Sequence, residues 1–119
     1  MVVDDLPENA KILQSFLQPL GFEITAAENG EQALAMVAER APDVIVLDLM
    51  MPGMSGFEVC DCLKQNPETR HIPIIIVTGV SDREANVEAV RAGADDYLTK
   101  PFDSLLLEAR IRTSLKTKV

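Results

Sequence analysis

The chain has 119 residues, of which 47% are hydrophobic, and its formal net charge at pH 7 is −8. This length suits one domain with a single core, and the apolar content excludes a disordered segment. The acidic balance argues against nucleic acid as a direct partner, because no cluster of Lys and Arg could neutralise phosphates. No apolar stretch approaches the ~20 residues of a membrane span, and no segment of this sequence has the charged and apolar pattern that predicts export. We therefore expect a cytoplasmic protein with no membrane partner.

Short apolar strands alternate with helix-length amphipathic segments along the chain, which is typical of βαβ units and a parallel sheet. The pattern predicts strands over residues 1–4, 22–27, 43–48, 73–78 and 95–99. It predicts helices over residues 7–19, 30–40, 55–65, 82–92 and 103–118. We therefore predict an α/β fold of five parallel strands with helices on both faces of the sheet.

Local signals mark the ends of several predicted helices. Ser55 with Glu58, and Ser81 with Glu84, have the spacing of a capping box at a helix start. Gly93 is placed to end the fourth helix in a left-handed conformation. Residues 51–54 suit a type II turn, in which the glycine at the third position accepts a positive φ.

The first and last predicted helices carry apolar residues at helical spacing. In the first helix one core-facing stripe is predicted from Ala10, Leu13, Leu17 and Leu20. In the last helix a core face is predicted from Phe102, Leu106 and Ala109. A second stripe there comprises Leu107, Ile111, Leu115 and Val119. This second stripe is explained equally well by a wide core face or fraying and by contact with a partner or a further domain.

Other polar and sulfur-containing residues have simpler interpretations. Cys60 and Cys62 lie two apart on a predicted helix and point to different faces, so we expect free thiols rather than a metal site or a disulfide. His71 is expected to be a solvated loop residue and not a phosphodonor. Asp82 and the pair Asp95-Asp96 are interpreted as solubilising charge.

Charged residues follow three of the predicted strands. Asp4-Asp5 follow the first strand, Asp48 closes the apolar run over residues 43–47, and Lys100 follows the last strand. The carboxyl ends of parallel strands meet at one edge of a sheet, where α/β proteins place their sites. Carboxylate oxygens suit Mg²⁺, which also takes phosphate oxygens. Asp48 is therefore a candidate nucleophile for a phosphoryl group, and Thr78, which closes the fourth strand, could hydrogen-bond that group.

In order and spacing these residues resemble the receiver domain of two-component response regulators, in the CheY-like superfamily. The resemblance covers essentially the whole chain. It rests on Asp4-Asp5, the block over residues 42–56, Thr78-Gly79 and the block over residues 93–102. It implies a flavodoxin-like (βα)5 three-layer sandwich whose five-stranded parallel sheet has the order 2-1-3-4-5.

The resemblance also implies phosphoryl transfer to Asp48 from a histidine kinase or a histidine phosphotransfer protein. Asp5, Asp48 and the backbone carbonyl of Met50 would bind Mg²⁺ directly, and Asp4 would act mainly through water. Thr78 and Lys100 would bind the phosphoryl group. Such a domain is not expected to be an enzyme beyond its own Mg²⁺-dependent phosphorylation and autodephosphorylation.

A conformational switch follows from the same resemblance. Tyr97 would turn inward as Thr78 closes on the phosphate, and the Lys100-Pro101 bond is expected to be cis. The face formed by the fourth helix, the fifth strand and the fifth helix would then bind a partner, a second copy of the chain or an attached C-terminal output domain. We expect residues 1–119 to form one receiver domain. It either stands alone or, as the last helix without a stop signal favours, is excised from or N-terminal to a longer response regulator.

Three other functions fit parts of the sequence. A flavodoxin-like small-molecule binder needs a Ser/Thr/Gly-rich phosphate loop after the first strand, where this chain has two acids. Phosphatases with an aspartate nucleophile resemble Asp-x-Asp, whereas Asp48-Leu49-Met50 lacks the second acid. A receiver that serves as an unphosphorylated interaction domain usually lacks an acid or the lysine, and none is missing here.

Overall fold

Five strands form the centre of the computed structural model, which describes residues 1–48, 53–78, 91–99 and 104–116. The strands are β1 (Val2–Val3), β2 (Ala26–Ala27), β3 (Ile45–Asp48), β4 (Ile74–Thr78) and β5 (Asp96–Thr99). The helices in these residues are α1 (Pro7–Leu17), α2 (Gly30–Glu39), α3 (Gly56–Gln65) and the last helix (Ser104–Lys116). Most of the predicted fourth helix, and its capping box at Ser81, lie outside the described residues.

The sheet has the order β2-β1-β3-β4-β5, and every pair of neighbouring strands is parallel. This confirms the predicted fold and strand order. β1 lies between its two neighbours, with Val2 paired to Ala26 on one side and to Val46 on the other. The order therefore reverses at β1, and the crevice between β1 and β3 is where sheets of this topology bind ligands. The predicted strand over 22–27 is paired only at Ala26–Ala27.

Hydrophobic residues form one cluster on each face of the sheet, as predicted. Along β4, Ile74 and Ile76 belong to the first cluster, which lies under α2 and α3, while Ile75 and Val77 belong to the second, under α1 and the last helix. Successive side chains of a strand point to opposite faces, so a strand buried on both faces needs an unbroken apolar run. This is why β3 and β4 are so easily recognised in the sequence.

The predicted core stripe of the first helix is confirmed except at its end. Ala10 and Leu17 are buried, and Leu13 packs against the second cluster. Leu20 is 36% exposed, so its assignment to the core was wrong. The α-helix ends at Leu17, and residues 18–20 form a 3₁₀ turn. The tighter winding of that turn rotates Leu20 away from the stripe.

In the last helix the second stripe packs in the core, as one of its two predicted explanations had it, whereas the assignment of the first stripe to the core was wrong at Leu106 and Ala109. Leu107 and Ile111 are buried, and Leu115 packs against the second cluster. Leu106 is 42% exposed, and Ala109 is exposed as well. Spacings of three and of four residues both follow one face of a helix, so the pattern alone does not decide which stripe meets the sheet. Phe102 and Val119 lie outside the described residues.

The local signals are confirmed where the structure describes them. Ser55 is the N-cap of α3, and its hydroxyl accepts a hydrogen bond from the Glu58 amide at 3.3 Å. Gly53 and Gly93 have φ values of +76° and +89°. Both cysteines are free, Cys60 buried and Cys62 exposed. None of the described helices is long and apolar enough to cross a membrane.

The amino end of β1 lies beside a cleft of about 490 Å³ at the edge of the sheet opposite Asp48. The α-amino group of Met1 donates a hydrogen bond to the Val44 carbonyl at 2.8 Å. Burial lowers the pKa of this amine from 8.0 to about 6, although the nearby negative charge of Asp43 acts to raise it. The cleft walls include Leu17, Ile111 and the chain segments that lead into β2 and β3.

Candidate metal-binding site

Asp4, Asp5 and Asp48 come together at the carboxyl edge of the sheet, as the sequence predicted. Each carboxylate offers an oxygen, and these three oxygens all lie within 4.8 Å of one another. β1 and β3 are adjacent and parallel, so the acids that follow or end them meet at the same edge. Asp4 and Asp48 are buried, with 4% and 9% of their surfaces exposed, and Asp5 is half-buried.

Asp4 is held in place by hydrogen bonds on both sides. Its amide donates to the Ala27 carbonyl at 3.0 Å, which extends the pairing of β1 with β2. One oxygen of its carboxylate accepts a hydrogen bond from the Leu6 amide at 2.9 Å. Leu6 is the N-cap of α1, and no side chain caps that helix directly. Asp4 therefore orients the turn that leads from β1 into α1.

The three carboxylates form a donor set suited to a small divalent cation. Two negative charges no more than 4.8 Å apart repel each other by at least roughly 3 kcal/mol in the effective dielectric near a protein surface. A cation between them turns this repulsion into attraction. Hard oxygen ligands at a site with few protein donors favour Mg²⁺, which keeps several of its waters. In the part of the chain that the structure describes, this is the one cluster of three His, Cys, Asp or Glu side chains close enough to share an ion.

Thr78 ends β4, the strand next to Asp48. In the β3–β4 ladder Asp48 is paired with Val77, so Thr78 lies one residue further toward the same edge. Thr78 is in turn paired with Thr99 of β5, which precedes Lys100 in the sequence. The backbone thus brings the ends of the three strands to one edge of the sheet. Lys100, Met50 and the Lys100-Pro101 bond lie outside the described residues, so their roles stay predictions.

Tyr97 lies in β5 opposite Ile76 of β4. Its half-buried side chain packs against the first hydrophobic cluster. This contact is the packing that an aromatic residue near a strand end commonly makes. The switching role of Tyr97 stays a prediction.

Asp95 and Asp96 are engaged in specific interactions, so their interpretation as solubilising charge was incomplete. The Asp95 carboxylate accepts hydrogen bonds from the Lys64 ammonium at 2.9 Å and from the Ile74 amide at 2.7 Å. Asp96 lies 3.3 Å from the Arg110 guanidinium. These partners are distant in the sequence, which is why the local pattern did not reveal them. His71 is exposed in a turn, as expected.

The sequence profile described as "Response regulator receiver domain" matches residues 1–112. The chain belongs to this receiver-domain family. One relative of this chain is the response regulator PleD of Caulobacter vibrioides, which is 44% identical over 119 residues. Another is a probable cyclic di-GMP phosphodiesterase of Vibrio cholerae, which is 40% identical over 118 residues. The two comparisons cover 100% and 99% of this chain, but the chain spans only 26% of the length of each relative.

Solved receiver domains share the fold closely. The signal receiver domain of a histidine kinase from Syntrophus aciditrophicus superposes with a TM-score of 0.92 at 34% identity. That comparison covers 98% of this chain and 88% of the other. A putative response regulator from Chloroflexus aurantiacus gives the same TM-score at 35% identity and covers 97% and 94% of the two chains. The family membership and the fold therefore agree with the resemblance carried by the sequence motifs.

Proposed function

We propose that this receiver domain accepts a phosphoryl group on Asp48 in a Mg²⁺-dependent reaction. The donor is a phosphohistidine of a histidine kinase or of a histidine phosphotransfer protein in the cytoplasm. The observation that carries the proposal is the cluster of Asp4, Asp5 and Asp48 at the point where the strand order reverses. Two of these acids are buried and the third is half-buried, and such a cluster of like charges without a chemical role is costly to maintain.

The donor set of the cluster fits Mg²⁺, with oxygen ligands that are all hard and mostly charged. Asp5 and Asp48 would bind the ion directly together with the Met50 carbonyl, and Asp4 would contribute through water. When bound, Mg²⁺ supplies positive charge that offsets the charge of the carboxylates and of an incoming phosphoryl group. Asp4 is additionally held by the Leu6 amide, which limits its movement.

The transfer itself is a displacement at phosphorus. One carboxylate oxygen of Asp48 attacks the phosphorus atom, and the P–N bond of the donor phosphohistidine breaks. The electron pair of that bond stays on the imidazole nitrogen, and the product on Asp48 is an acyl phosphate. Water later attacks this phosphorus and releases inorganic phosphate, which restores the carboxylate. Thr78 and Lys100 hold the phosphoryl oxygens, so the protein contributes chiefly positioning and charge.

The phosphoryl group then acts on the rest of the domain through Thr78 and Tyr97. Thr78 moves toward the phosphate and Tyr97 turns inward, which changes the face made by the predicted fourth helix, β5 and the last helix. The partner of that face is a second copy of the chain or an attached output domain, not nucleic acid or a membrane. The much greater length of the relatives supports an attached output domain. The domain itself is not an enzyme, since it turns over only its own phosphoryl group.

The test is intact mass after incubation with acetyl phosphate, with and without Mg²⁺. Wild type, Asp48→Asn and the matched control Asp61→Asn are compared, because Asp61 is an exposed aspartate on α3 away from the cluster. We expect one added phosphoryl group in wild type and Asp61→Asn, only with Mg²⁺, and none in Asp48→Asn. Equal modification of Asp48→Asn would show that another acid is the acceptor. No modification of folded wild type would favour an unphosphorylated interaction domain.

A further inference from the structure

Lys64, near the end of α3, binds the chain at the two places where it leads into β4 and into β5. Its ammonium donates hydrogen bonds to the carbonyl oxygens of Arg70 at 3.1 Å and Ile72 at 2.9 Å. It also donates to the Asp95 carboxylate at 2.9 Å. An ammonium has three N–H donors, so every donor of Lys64 is used. The side chain is only 17% exposed. We refer to Lys64, Asp95 and these hydrogen bonds as the clamp.

Asp95 extends the pairing of β4 with β5 by one step. Its amide donates to the Ile74 carbonyl at 2.9 Å, and its carboxylate accepts from the Ile74 amide at 2.7 Å. The regular ladder begins one residue later, where Ile75 is paired with Asp96. The carboxylate of Asp95 thus takes the place of a backbone carbonyl at the first position of the ladder, and Lys64 holds that carboxylate.

The residues before Asp95 are packed closely against α3. Gly93 has a φ of +89°, and a Cβ atom there would lie 3.1 Å from Cγ of Lys64. The Cys60 thiol donates a hydrogen bond to the Ala92 carbonyl at 3.3 Å. Burial raises the pKa of that thiol to about 11, so it keeps its proton. The turn that leads into β5 is therefore fixed to α3 through the clamp and through this thiol.

β5 is short and lies at the edge of the sheet, so its register depends on few contacts. In the described residues it pairs with β4 alone, over four residue pairs. Tyr97 faces the first hydrophobic cluster, and Leu98 faces the second. A slip by one residue would exchange these faces and displace the end of the strand by about 3.3 Å. Lys100 follows directly after that end.

We propose that Lys64 and Asp95 are positioning residues that fix the register of β5 and thereby place Tyr97 and Lys100. This inference rests on the proposed function, in which Lys100 binds the phosphoryl group and Tyr97 responds to it. The clamp lies at the amino-terminal ends of β4 and β5, whereas the three acids lie at the carboxyl ends of β1 and β3. Loss of the clamp is therefore expected to impair phosphoryl transfer and to change the packing of Tyr97, while leaving Mg²⁺ binding intact.

The test compares Lys64→Met, Asp95→Ala and their double variant with wild type. Lys64→Met keeps most of the stem and removes the donors, and Lys11→Met, at an exposed lysine of α1, is the matched control. Three quantities are measured: the phosphorylation rate with acetyl phosphate at saturating Mg²⁺, the Mg²⁺ Kd by calorimetry, and the near-UV circular dichroism of Tyr97. The chain has one Tyr and no Trp, so Tyr97 is the principal source of the near-UV signal around its absorption maximum.

We expect each clamp variant to lose at least about tenfold in rate, since small misplacements of reacting groups are costly. The Mg²⁺ Kd should stay within about twofold of wild type, and the near-UV signal of Tyr97 should change. The phosphorylation rate of the double variant should be no lower than that of the more impaired single variant. Wild-type rates and signals in both single variants would overturn the inference. So would a parallel loss of Mg²⁺ affinity, which indicates general unfolding. If wild type takes up no phosphoryl group, the proposed function fails. The clamp is then tested by two other measurements, the hydrogen exchange of the β5 amides and the near-UV signal of Tyr97.

Discussion

The buried α-amino group of Met1 is expected to make the stability of this chain depend on pH between about 6 and 8. Burial lowers its pKa in the folded state from 8.0 to about 6. The unfolded chain therefore binds more protons than the folded one within this window, and the free energy of unfolding rises with pH across it. Below pH 6 the amine is charged in both states, and the full cost of burying that charge is present.

The lowering of the pKa from 8.0 to about 6 corresponds to a gain in the free energy of unfolding of roughly 2 to 3 kcal/mol between pH 6 and pH 8. The assay is urea unfolding of the 119-residue chain with a free amine, followed by far-UV circular dichroism at several pH values. The control is the same chain acetylated at Met1, which has no titrating amine but keeps an N–H donor for the Val44 carbonyl. All other titrating groups are common to both proteins, so the difference in slope isolates the amine.

Equal slopes for the free and acetylated chains between pH 6 and pH 8 would refute this reasoning. That result would mean that water reaches the amine through the adjacent cleft and keeps the charge solvated. A stability that falls with pH in the free-amine chain alone would contradict the direction of the shift. It would indicate that the attraction of Asp43, which raises the pKa, outweighs burial.

Three further outcomes are expected. Mg²⁺ at a hundredfold excess over its Kd should stabilise wild type by about 2.7 kcal/mol in thermal unfolding, and the effect should vanish in Asp48→Asn but persist in Asp61→Asn. Gly30→Ala should destabilise by about 1 to 3 kcal/mol, because its Cβ would lie 2.6 Å from Cγ2 of the buried Val59 and 3.0 Å from Cβ and Cγ of Met54. A smaller penalty in the Val59→Ala background confirms the clash with Val59, and a single variant that is more stable than wild type contradicts it. In urea unfolding, Leu107→Ala should lower the free energy of unfolding by about 2 to 5 kcal/mol and Leu106→Ala by less than about 0.5 kcal/mol. The reverse order would indicate that Leu106 faces the core, as first predicted from the sequence.

The acidic cluster was predictable because it depends on two simple rules. Each acid follows or ends an apolar run that is recognisable as a buried strand, and the ends of parallel strands share one edge. Asp4, Asp5 and Asp48 therefore needed no tertiary information beyond the order of strands, which came with the family resemblance. The local caps at Ser55 and Gly93 were predictable for a similar reason, since they depend on residues within one turn of the chain.

The features that the sequence did not reveal depend on contacts between distant residues. Lys64 and Asp95 are 31 residues apart, and no local pattern relates them. The last helix offers two apolar stripes, and only packing against the second cluster shows that Leu107 and Ile111 face the sheet. Leu20 was misplaced because a change from α-helical to 3₁₀ winding depends on how the chain turns toward β2.

The edge position of β5 has a consequence for association between copies of the chain. In the described residues one side of this strand has no neighbouring strand, and an exposed strand edge is a template for pairing with another chain. Asp96 places a carboxylate at the start of this strand, and like charges on two facing strands repel. Replacing Asp96 by a neutral residue should therefore increase aggregation on storage, so the first residue of β5 also limits pairing between copies of the chain.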